Sequence, residues 1–367
     1  MSEPWAIEVR APGKLYVAGE YAVVETGFPA VLVAVDRYVT VQVKSSDDTG
    51  HITSDLNAGS WLEWYRRDTD MVIEPDEAPF SFVLAAMRIV EEAARELGES
   101  LRIFDLNITS ELDDDSGRKF GLGSSAAVTV ATIRALCELY DLDLSRLEQL
   151  KLALLASIEV QRSGSGGDVA ASMFGGWIAY TAFDRAWARE QRAAGHSVVE
   201  LLKTEWPGLS VNRVAPPADL RLLVGWTASP ASTSRLVGGV QSRKTQGGMD
   251  YPQFLAESAR CVTSLVSGLN DGDNEAVFAA IRRNRELLRQ LGERTGITIE
   301  TPKLRHLIET AEEHGGAAKT SGAGGGDCGI VLISNDADID GLLASWERAD
   351  IRVLNLYVHQ PEGGVEQ

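Results

Sequence analysis

The chain has 367 residues, of which 44% are hydrophobic and 24% charged, so it has the composition of an ordinary globular protein and the length of two domains. Its formal net charge of −18 argues against binding to nucleic acid or to an anionic membrane, and an anionic ligand would need a local concentration of donors. The three cysteines are scattered without metal-ligand spacing, the N-terminus lacks a secretion-signal pattern and no apolar run could span a bilayer, which together predict a cytoplasmic protein.

Hydrophobic patterning predicts mixed α and β structure in the first half of the chain. β-Branched and alternating apolar residues predict strands at residues 7–10, 15–24, 31–43 (one long strand or two), 101–108 and 175–183. Apolar residues at helical spacing predict helices at residues 80–97, 125–140 and 145–160. The last of these begins with S-R-L-E, which is a capping box.

The second half begins after a polar, proline-bearing segment. We place the domain boundary in this segment, residues 185–217, which divides the chain into domains 1–217 and 218–367. Strands are predicted at 219–227, 329–334 and 351–359, with three or four helices between 233 and 313 and another near 341–349. The tail PEGGVEQ, residues 361–367, is expected to fray.

The stretch GRKFGLGSSAAVTVATIRAL, residues 117–136, leads a glycine-bearing loop into two serines and a helix. The first N–H groups of a helix lack intrahelical partners and carry the positive end of its dipole, so a phosphate that approaches over glycines can bind there. The hydroxyls of Ser124 and Ser125 could ligate Mg²⁺. Alternatively, Ser124 is only an N-cap and the glycines only form a turn. This stretch alone leaves both interpretations open, since it is neither GxxxxGK[ST] nor a strand-linked GxGxxG.

Three further stretches are unlike ordinary core or linker sequence. APGKLYVAGEYAVV, residues 11–24, puts Lys14 in a Gly–Lys turn, and SGSGGDVAASMFGG, residues 163–176, puts Asp168 at a predicted helix start. TSGAGGGDCGIVL, residues 320–332, is a glycine loop before a strand. Taken singly, each has an ordinary explanation, namely a surface lysine, a helix cap and a hairpin.

Together the stretches resemble, in order, the three motifs of the GHMP kinase superfamily, named for galactokinase, homoserine kinase, mevalonate kinase and phosphomevalonate kinase. Within it, the chain is most similar to the phosphomevalonate kinases, through GKLYVAGEYAVVE, KFGLGSSAAV, GSGGDVAAS, VGWTASPASTSRLV and SGAGGGDCGI. Mevalonate kinases usually have GEH where this chain has Gly19–Glu20–Tyr21, and their third loop lacks GGGDCGI.

The resemblance implies an α+β protein with the two-domain GHMP kinase fold. Its N-terminal α/β ATP-binding domain would contain a ribosomal-protein-like left-handed βαβ unit, and its C-terminal domain would be ferredoxin-like α+β, with the active site in the cleft between them. The implied reaction converts ATP and 5-phosphomevalonate into ADP and 5-diphosphomevalonate, with Mg²⁺, in the mevalonate route to isoprenoids. The protein would be a monomer or homodimer.

The same resemblance implies the site residues. The ATP-phosphate loop would consist of Gly121, Leu122, Gly123, Ser124, Ser125 and Ala126, with Ser124 or Ser125 reaching Mg²⁺. The catalytic set would be Lys14, Lys119 and Asp168, in which the lysines face phosphate charge. The substrate-binding set would be Lys14, Tyr21, Ser165, Thr233, Ser234, Gly322, Ala323, Gly324, Gly325 and Asp327, the last as the anchor of its loop.

The charge of the implied acceptor bears on the role of Asp168. A phosphate monoester has a second pKa of about 6 and is mostly dianionic at neutral pH, so a base has little proton to remove. We therefore expect Asp168 chiefly to orient Lys14, with a role as general base left open.

Other assignments remain alternatives at this stage. Arg162 is either a phosphate ligand or solvated, and most of Arg282, Arg283, Arg285 and Arg289 are expected at the surface. Trp61, Trp64 and Tyr65 are candidates for the adenine pocket, or for edge-strand or core positions. The alternative functions are mevalonate kinase or another small-alcohol kinase, mevalonate diphosphate decarboxylase, and a non-catalytic relative. The intact set of lysines, serines and Asp168 argues against the last.

Overall fold

A computed structural model describes residues 7–55, 60–74, 80–114, 116–161, 163–229, 231–244 and 250–362 of the chain. Arg162 and residues 363–367 of the tail therefore lie outside the described residues. Within these ranges, no helix combines the length and the apolar character needed to cross a membrane.

The first half of the chain forms an eight-stranded sheet over the described ranges. Its strands are β1 (Ile7–Ala18), β2 (Pro29–Ser46), β3 (Gly50–Ser54), β4 (Trp61–Arg67), β5 (Asp70–Glu74), β6 (Ile103–Ser110), β7 (Trp177–Thr181) and β8 (Ser210–Val214). They lie in the order β5-β4-β3-β6-β2-β7-β8, and β1 pairs with β2. The long strand β2 is the centre of the sheet, because β7 pairs with its beginning, β6 with its end and β1 along most of its length.

Six helices accompany this sheet in the described residues. They are α1 (Ser81–Glu96), α2 (Ser124–Leu139), α3 (Arg146–Val160), α4 (Gly167–Phe174), α5 (Arg185–Ala193) and α6 (Val198–Lys203). Helix α2 packs against β1, β2, α1, α3 and α4, and it is buried over most of its surface. A helix that is apolar on most sides is expected at such a central place, so α2 is held by elements packed on several of its sides.

The second half forms a four-stranded antiparallel sheet covered by helices. Its strands are β9 (Leu220–Trp226), β10 (Ala317–Thr320), β11 (Cys328–Ser334) and β12 (Arg352–Leu354), in the order β10-β11-β9-β12. Its helices are α7 (Thr233–Arg243), α8 (Tyr251–Asp271), α9 (Asn274–Thr295), α10 (Pro302–Glu313) and α11 (Ile339–Arg348). Counted within the domain, the strand order is 2-3-1-4, which is that of the predicted ferredoxin-like fold.

Several predicted elements differ from the structure. The strand predicted at 15–24 is wrong, because β1 runs unbroken to Ala18 and a 3₁₀ turn (Ala22–Val24) follows. Gly19 has φ 93° and a Cβ there would lie 2.5 Å from the Pro29 carbonyl, so the chain turns where only glycine fits. The segment 185–217, in which no helix or strand was predicted, contains α5, α6 and β8.

The C-terminal residues also differ from expectation. The strand predicted at 351–359 ends at Leu354, and the chain then returns to the first sheet, where Val358 bridges Val35 and the His359 N–H donates to the Ala34 carbonyl. Glu362, in the tail expected to fray, donates its N–H to the Phe174 carbonyl at 3.0 Å. The described end of the chain is therefore fastened to the first domain, at the end of α4.

Candidate active site

A cavity of about 430 Å³ lies where the two domains meet. Helices α2, α4 and α7 all begin at its wall, so the positive ends of three helix dipoles face it. The cavity brings together the predicted site residues apart from Gly324 and Gly325, namely Lys14, Tyr21, Lys119, Gly121, Leu122, Gly123, Ser124, Ser125, Ala126, Ser165, Asp168, Thr233, Ser234, Gly322, Ala323 and Asp327.

The glycine–serine loop is built to expose backbone N–H groups. Gly123 is the N-cap of α2 with φ 84°, and no side chain caps the helix. The interpretation of Ser124 as the N-cap is therefore wrong, because Ser124 is already the first helical residue. The Leu122 carbonyl accepts the N–H of Lys14 at 2.8 Å, which fastens the loop to β1. The arrangement leaves an uncapped helix start open to an anion.

Lys14 is the buried cation of the site. Its side chain is only 8% exposed, and its Nζ donates to the Gly121 carbonyl at 3.4 Å. Burial lowers the pKa of Lys14, while the negative charges of Asp168 and Asp327 oppose that shift. Among the described residues Lys14 forms no ion pair, so its charge is available to an anionic ligand.

Asp168 lies in the first turn of α4, where its carboxylate accepts the N–H of Val169 at 3.1 Å. It acts on Lys14 through its charge and does so more strongly than any other acid, yet the structure gives no direct hydrogen bond between them. The expected orientation of Lys14 by Asp168 thus stays a prediction.

Lys119 occupies the exposed rim of the cavity, on the loop before α2. Its backbone pairs with that of Asp113 in an isolated β-bridge. Burial raises the pKa of the Asp113 carboxyl, and the positive charge of Lys119 opposes that shift. Lys119 is therefore a less buried cation than Lys14 and stands at the mouth of the site.

The loop between β10 and β11 is tied to both domains. The Tyr21 hydroxyl donates to the Ala323 carbonyl at 2.6 Å. The hydroxyl hydrogen of this residue, which was predicted to bind the substrate, is therefore already used in a bond to the loop. Gly325 donates its N–H to the Ile299 carbonyl at 2.7 Å, and a Cβ at Gly324 would lie 2.3 Å from the same oxygen, which explains why these two glycines miss the cavity.

Asp327 ends this loop in a left-handed conformation with φ 47°. Its carboxylate accepts the Ala231 N–H at 3.2 Å and its own N–H donates to the Ser229 carbonyl at 2.8 Å. Burial raises the pKa of Asp327, against the Ala231 N–H and the charges of Lys14 and Lys119. These hydrogen bonds place Asp327 to anchor the loop. Its carboxylate also lies beside Gly121, in the space that a Cβ on that glycine would fill.

The start of α7 contributes exposed hydroxyls from the second domain. Ser232 is the N-cap and accepts the N–H of Arg235, while Thr233 and Ser234 lie in the first turn. Gln161 donates from Nε2 to Ser234 Oγ at 3.3 Å, which links this helix to the end of α3.

Other candidates lie away from the cavity. Trp64 is buried and donates from Nε1 to the Phe104 carbonyl at 3.2 Å, and neither it, Trp61 nor Tyr65 lines the cavity, so they do not form a pocket wall there. Four of the five arginines of helix α9, those considered above, form ion pairs with glutamates, as expected for residues at or near the surface: Arg282 with Glu312, Arg283 with Glu257, Arg285 with Glu300, and Arg289 with Glu286 and Glu293.

Tyr16 and Ser321 also line the cavity, although neither was predicted as a site residue. Tyr16 lies on β1 two residues after Lys14, so its side chain points to the same face, which the period of a strand could have revealed. Ser321 Oγ accepts the Tyr16 N–H and donates to the Tyr16 carbonyl, both at 3.0 Å. This contact across the two domains depends on tertiary structure and had no sequence signal.

Comparison with known proteins identifies the class of protein. The family model described as GHMP kinases N terminal domain matches residues 81–176, and the model described as GHMP kinases C terminal matches residues 265–351. The chain is 45% identical over 360 residues to the phosphomevalonate kinase of Streptomyces sp. (strain CL190), covering 94% of this chain and 95% of that one. The chain belongs to the GHMP kinase family.

Within the family, the likeness is to phosphomevalonate kinases in structure as well. The Streptococcus pneumoniae phosphomevalonate kinase in complex with phosphomevalonate and AMPPNP superimposes with a TM-score of 0.83 at 31% identity, over 96% of this chain and 99% of that one. The mevalonate kinase of Pyrococcus abyssi is less similar, at 29% identity over 90% of this chain and 89% of its own length.

Proposed function

We propose that the protein is a phosphomevalonate kinase, which transfers the terminal phosphoryl group of ATP to 5-phosphomevalonate and yields ADP and 5-diphosphomevalonate in the mevalonate route to isoprenoids. The observation that carries this proposal is the 45% identity to a phosphomevalonate kinase along nearly the whole of both chains. The two lysines and the open helix start in one cavity supply the positive groups that two phosphorylated substrates need.

The ATP phosphates would lie against the start of α2. The N–H groups of Ser124, Ser125 and Ala126 precede the first intrahelical bond, which Ala127 donates to Gly123 at 3.1 Å. They would donate to phosphate oxygens, and Lys119 at the rim would neutralise phosphate charge.

The residues at this helix start fit a magnesium ion. The Ser124 and Ser125 hydroxyls cap nothing in the helix, and hydroxyl and phosphate oxygens are hard ligands of the kind that Mg²⁺ takes. Among the described residues no group of three or more His, Cys, Asp or Glu side chains is placed to hold a metal, so the ion would depend largely on ATP phosphates. When bound, Mg²⁺ would stabilise the negative charge that the transferred phosphoryl group carries.

Lys14 would hold the acceptor phosphate beside the phosphoryl group of ATP. Both groups are anionic, and a buried cation that faces them stabilises their approach more strongly than an exposed one would. Asp168 would keep the Lys14 ammonium charged and oriented through its own negative charge. Ser165, Thr233 and Ser234 would donate hydrogen bonds to the acceptor. The enzyme would act in the cytoplasm, as a monomer or homodimer.

The test is release of ADP by the purified protein with Mg²⁺ and each of five acceptors: mevalonate, phosphomevalonate, diphosphomevalonate, homoserine and galactose. Only phosphomevalonate is expected to support fast release. Equal turnover of mevalonate would transfer the assignment to mevalonate kinase. Release of CO₂ from diphosphomevalonate would transfer it to the decarboxylase.

A further inference from the structure

Tyr16 lies between two predicted parts of the site, and its sequence position alone predicted no role for it. Its ring centroid lies 5.5 Å from Lys14 Nζ, which is within the range of a cation–π contact. Its hydroxyl lies 2.8 Å from Ser165 Oγ. Both Tyr16 and Ser165 line the cavity. Tyr16 therefore contacts the predicted catalytic residue Lys14 with its ring. With its hydroxyl it contacts Ser165, a residue predicted to bind the phosphoryl acceptor.

The hydrogen bonds of Ser165 determine which atom it presents to a ligand. A serine hydroxyl has one hydrogen and two lone pairs, and the Gly167 N–H donates to one lone pair at 3.2 Å. The O···O distance fits either hydroxyl as the donor, and because a phenol is a stronger acid than an aliphatic alcohol, the arrangement in which Tyr16 donates to the second lone pair is the favoured one. Ser165 then has only its hydrogen left, which makes it a pure donor toward the cavity.

Two features keep Tyr16 in that role. Burial, followed by the negative charge of Asp168, raises the pKa of Tyr16 against the opposing effect of the hydrogen bond with Ser165, so the phenol keeps its hydrogen at neutral pH. The backbone of Tyr16 is held by both hydrogen bonds with Ser321 from the second domain. The donor in this pair is consequently fixed in charge state and in position.

Ser165, which accepts the hydrogen bond in this pair, is also constrained. The Tyr180 hydroxyl donates to the Ser165 carbonyl at 2.7 Å, which holds the backbone of the turn. A Cβ at Gly167 would lie 2.9 Å from the Tyr16 hydroxyl, so the turn approaches Tyr16 as closely as glycine permits. These contacts hold the backbone of Ser165 beside the Tyr16 hydroxyl.

We infer that Tyr16 is a positioning residue whose hydroxyl holds Ser165 as a hydrogen-bond donor to an anionic oxygen, phosphate or carboxylate, of the phosphoryl acceptor. The inference rests on the proposed function. Without the Tyr16 hydroxyl, the O–H bond of Ser165 can turn away from the ligand and the oxygen can present a lone pair, which repels an anion. Hydrogen bonds to ionised groups are about twice as strong as neutral ones, so the loss should be measurable.

A double-mutant cycle tests this inference, with steady-state kinetics of the wild type, Tyr16→Phe, Ser165→Ala and the double variant. Tyr16→Phe keeps the ring beside Lys14, and we expect it to raise KM for phosphomevalonate about tenfold, with a smaller change in kcat and an unchanged KM for ATP. In the Ser165→Ala background, Tyr16→Phe should have no further effect, because the residue acts through Ser165. Tyr38→Phe is the matched control, since that hydroxyl bonds His359 Nδ1 at 3.0 Å outside the cavity.

The outcomes separate this inference from the proposed function. Additive effects of the two substitutions, an unchanged KM for the acceptor, or a loss confined to kcat would each overturn the role of Tyr16. A wild type that does not turn over phosphomevalonate would overturn the proposed function instead. The same cycle would then be measured with the acceptor that the wild type phosphorylates, and thermal unfolding of each variant confirms that it is folded.

Discussion

The side chain of Lys14 fills the space that Gly123 leaves open: a Cβ at Gly123 would lie 2.9 Å from Lys14 Cε and 3.3 Å from its Nζ. The glycine of the phosphate loop therefore serves two purposes. It adopts φ 84° at the helix start, and it lets the buried ammonium lie directly against the loop.

Replacing that glycine should displace the lysine rather than unfold the protein. In Gly123→Ala the flexible end of Lys14 must move away from the loop, and we expect turnover to fall by more than tenfold because the charge no longer faces the phosphates. Gly98→Ala is the matched control, since Gly98 has φ 88° and nothing within 4 Å of an added Cβ. Both variants should lose about 1 kcal/mol of stability through the left-handed backbone. Equal kcat/KM in the two variants would contradict the predicted role of Gly123.

The two serines at the start of α2 should matter for activity and little for stability. Since Gly123 is the N-cap and no side chain caps the helix, Ser124→Ala with Ser125→Ala breaks no capping bond. We expect turnover to fall by orders of magnitude, with the unfolding midpoint nearly unchanged.

Ser145→Ala provides the opposite case. Ser145 is a true N-cap in a capping box, so its loss should cost about 1 kcal/mol of stability while turnover per folded molecule stays at the wild-type level. If the double serine variant instead loses stability and keeps its turnover, the two hydroxyls serve the fold and not the ligand.

Local signals predicted many of the helices and strands, whereas the candidate site residues came from the family resemblance, and all of them except Gly324 and Gly325 line one cavity. The helix starts, the capping box at Ser145 and the β11 strand follow from periodicity and capping within a short stretch of chain. The contacts that could not be predicted join residues far apart in sequence, such as Tyr16 with Ser321. Glu362 was likewise expected to fray because its glycine-rich surroundings have no apolar pattern, whereas arginines from α2 and α3 hold it in place.

The buried ion pair between Lys319 and Glu20 should be sensitive to the loss of one partner. Both side chains are almost fully buried, the pair joins β10 to the turn after β1, and burial lowers the pKa of Lys319 against the charge of Glu20. Lys319→Met leaves the buried Glu20 carboxylate without its counter-charge, and we expect a loss of about 3–5 kcal/mol in the free energy of unfolding. Adding Glu20→Gln should restore part of it.

Denaturant unfolding measures both effects. Lys303→Met is the control, because its partner Asp350 is 99% exposed and such surface pairs contribute at most about 1 kcal/mol. A Lys319→Met protein as stable as Lys303→Met would mean that the buried pair does not hold the two domains together.

The tail should make stability depend on pH through Glu362. The hydrogen bond from His359, assisted by Arg134 and Arg146, lowers the pKa of Glu362 to about 2. Because the folded pKa lies below the unfolded value of about 4.3, the contribution is complete above that value and is lost as pH falls toward 2. Glu362→Gln should remove this part of the pH dependence of the unfolding midpoint between pH 5 and 2.

Glu286 is the control for this effect. Its pKa is also lowered to about 2, first by Arg289, but that pair lies on the surface of one helix and joins no distant segments. We expect Glu286→Gln to change the midpoint at neutral pH less than Glu362→Gln, and added salt to remove most of its effect. A larger effect of Glu286→Gln would show that the tail contact contributes little.

Lys14 and Asp168 should differ in how much activity depends on them. Lys14→Met removes the buried cation expected to face both phosphates, and we expect the loss of transition-state stabilisation to be several kcal/mol. Asp168→Asn keeps the shape of the side chain and loses its charge, and the Gly121 carbonyl still holds Lys14 Nζ. Asp168→Asn should therefore lower kcat less than Lys14→Met, since a dianionic phosphate needs no base to remove a proton.

The pH profile distinguishes orientation of Lys14 from base catalysis by Asp168. Wild-type kcat/KM should rise with an apparent pKa of about 6, that of the acceptor phosphate, and Asp168→Asn should keep this rise. On the alkaline side kcat/KM should fall as Lys14 loses its proton, at a pH below its ordinary value of 10.5 because burial lowers the pKa of the free enzyme's Lys14. In Asp168→Asn that alkaline limb should move to still lower pH, because the charge that opposes the shift is gone. If Asp168→Asn is as inactive as Lys14→Met and the acid limb disappears with it, Asp168 acts as the general base.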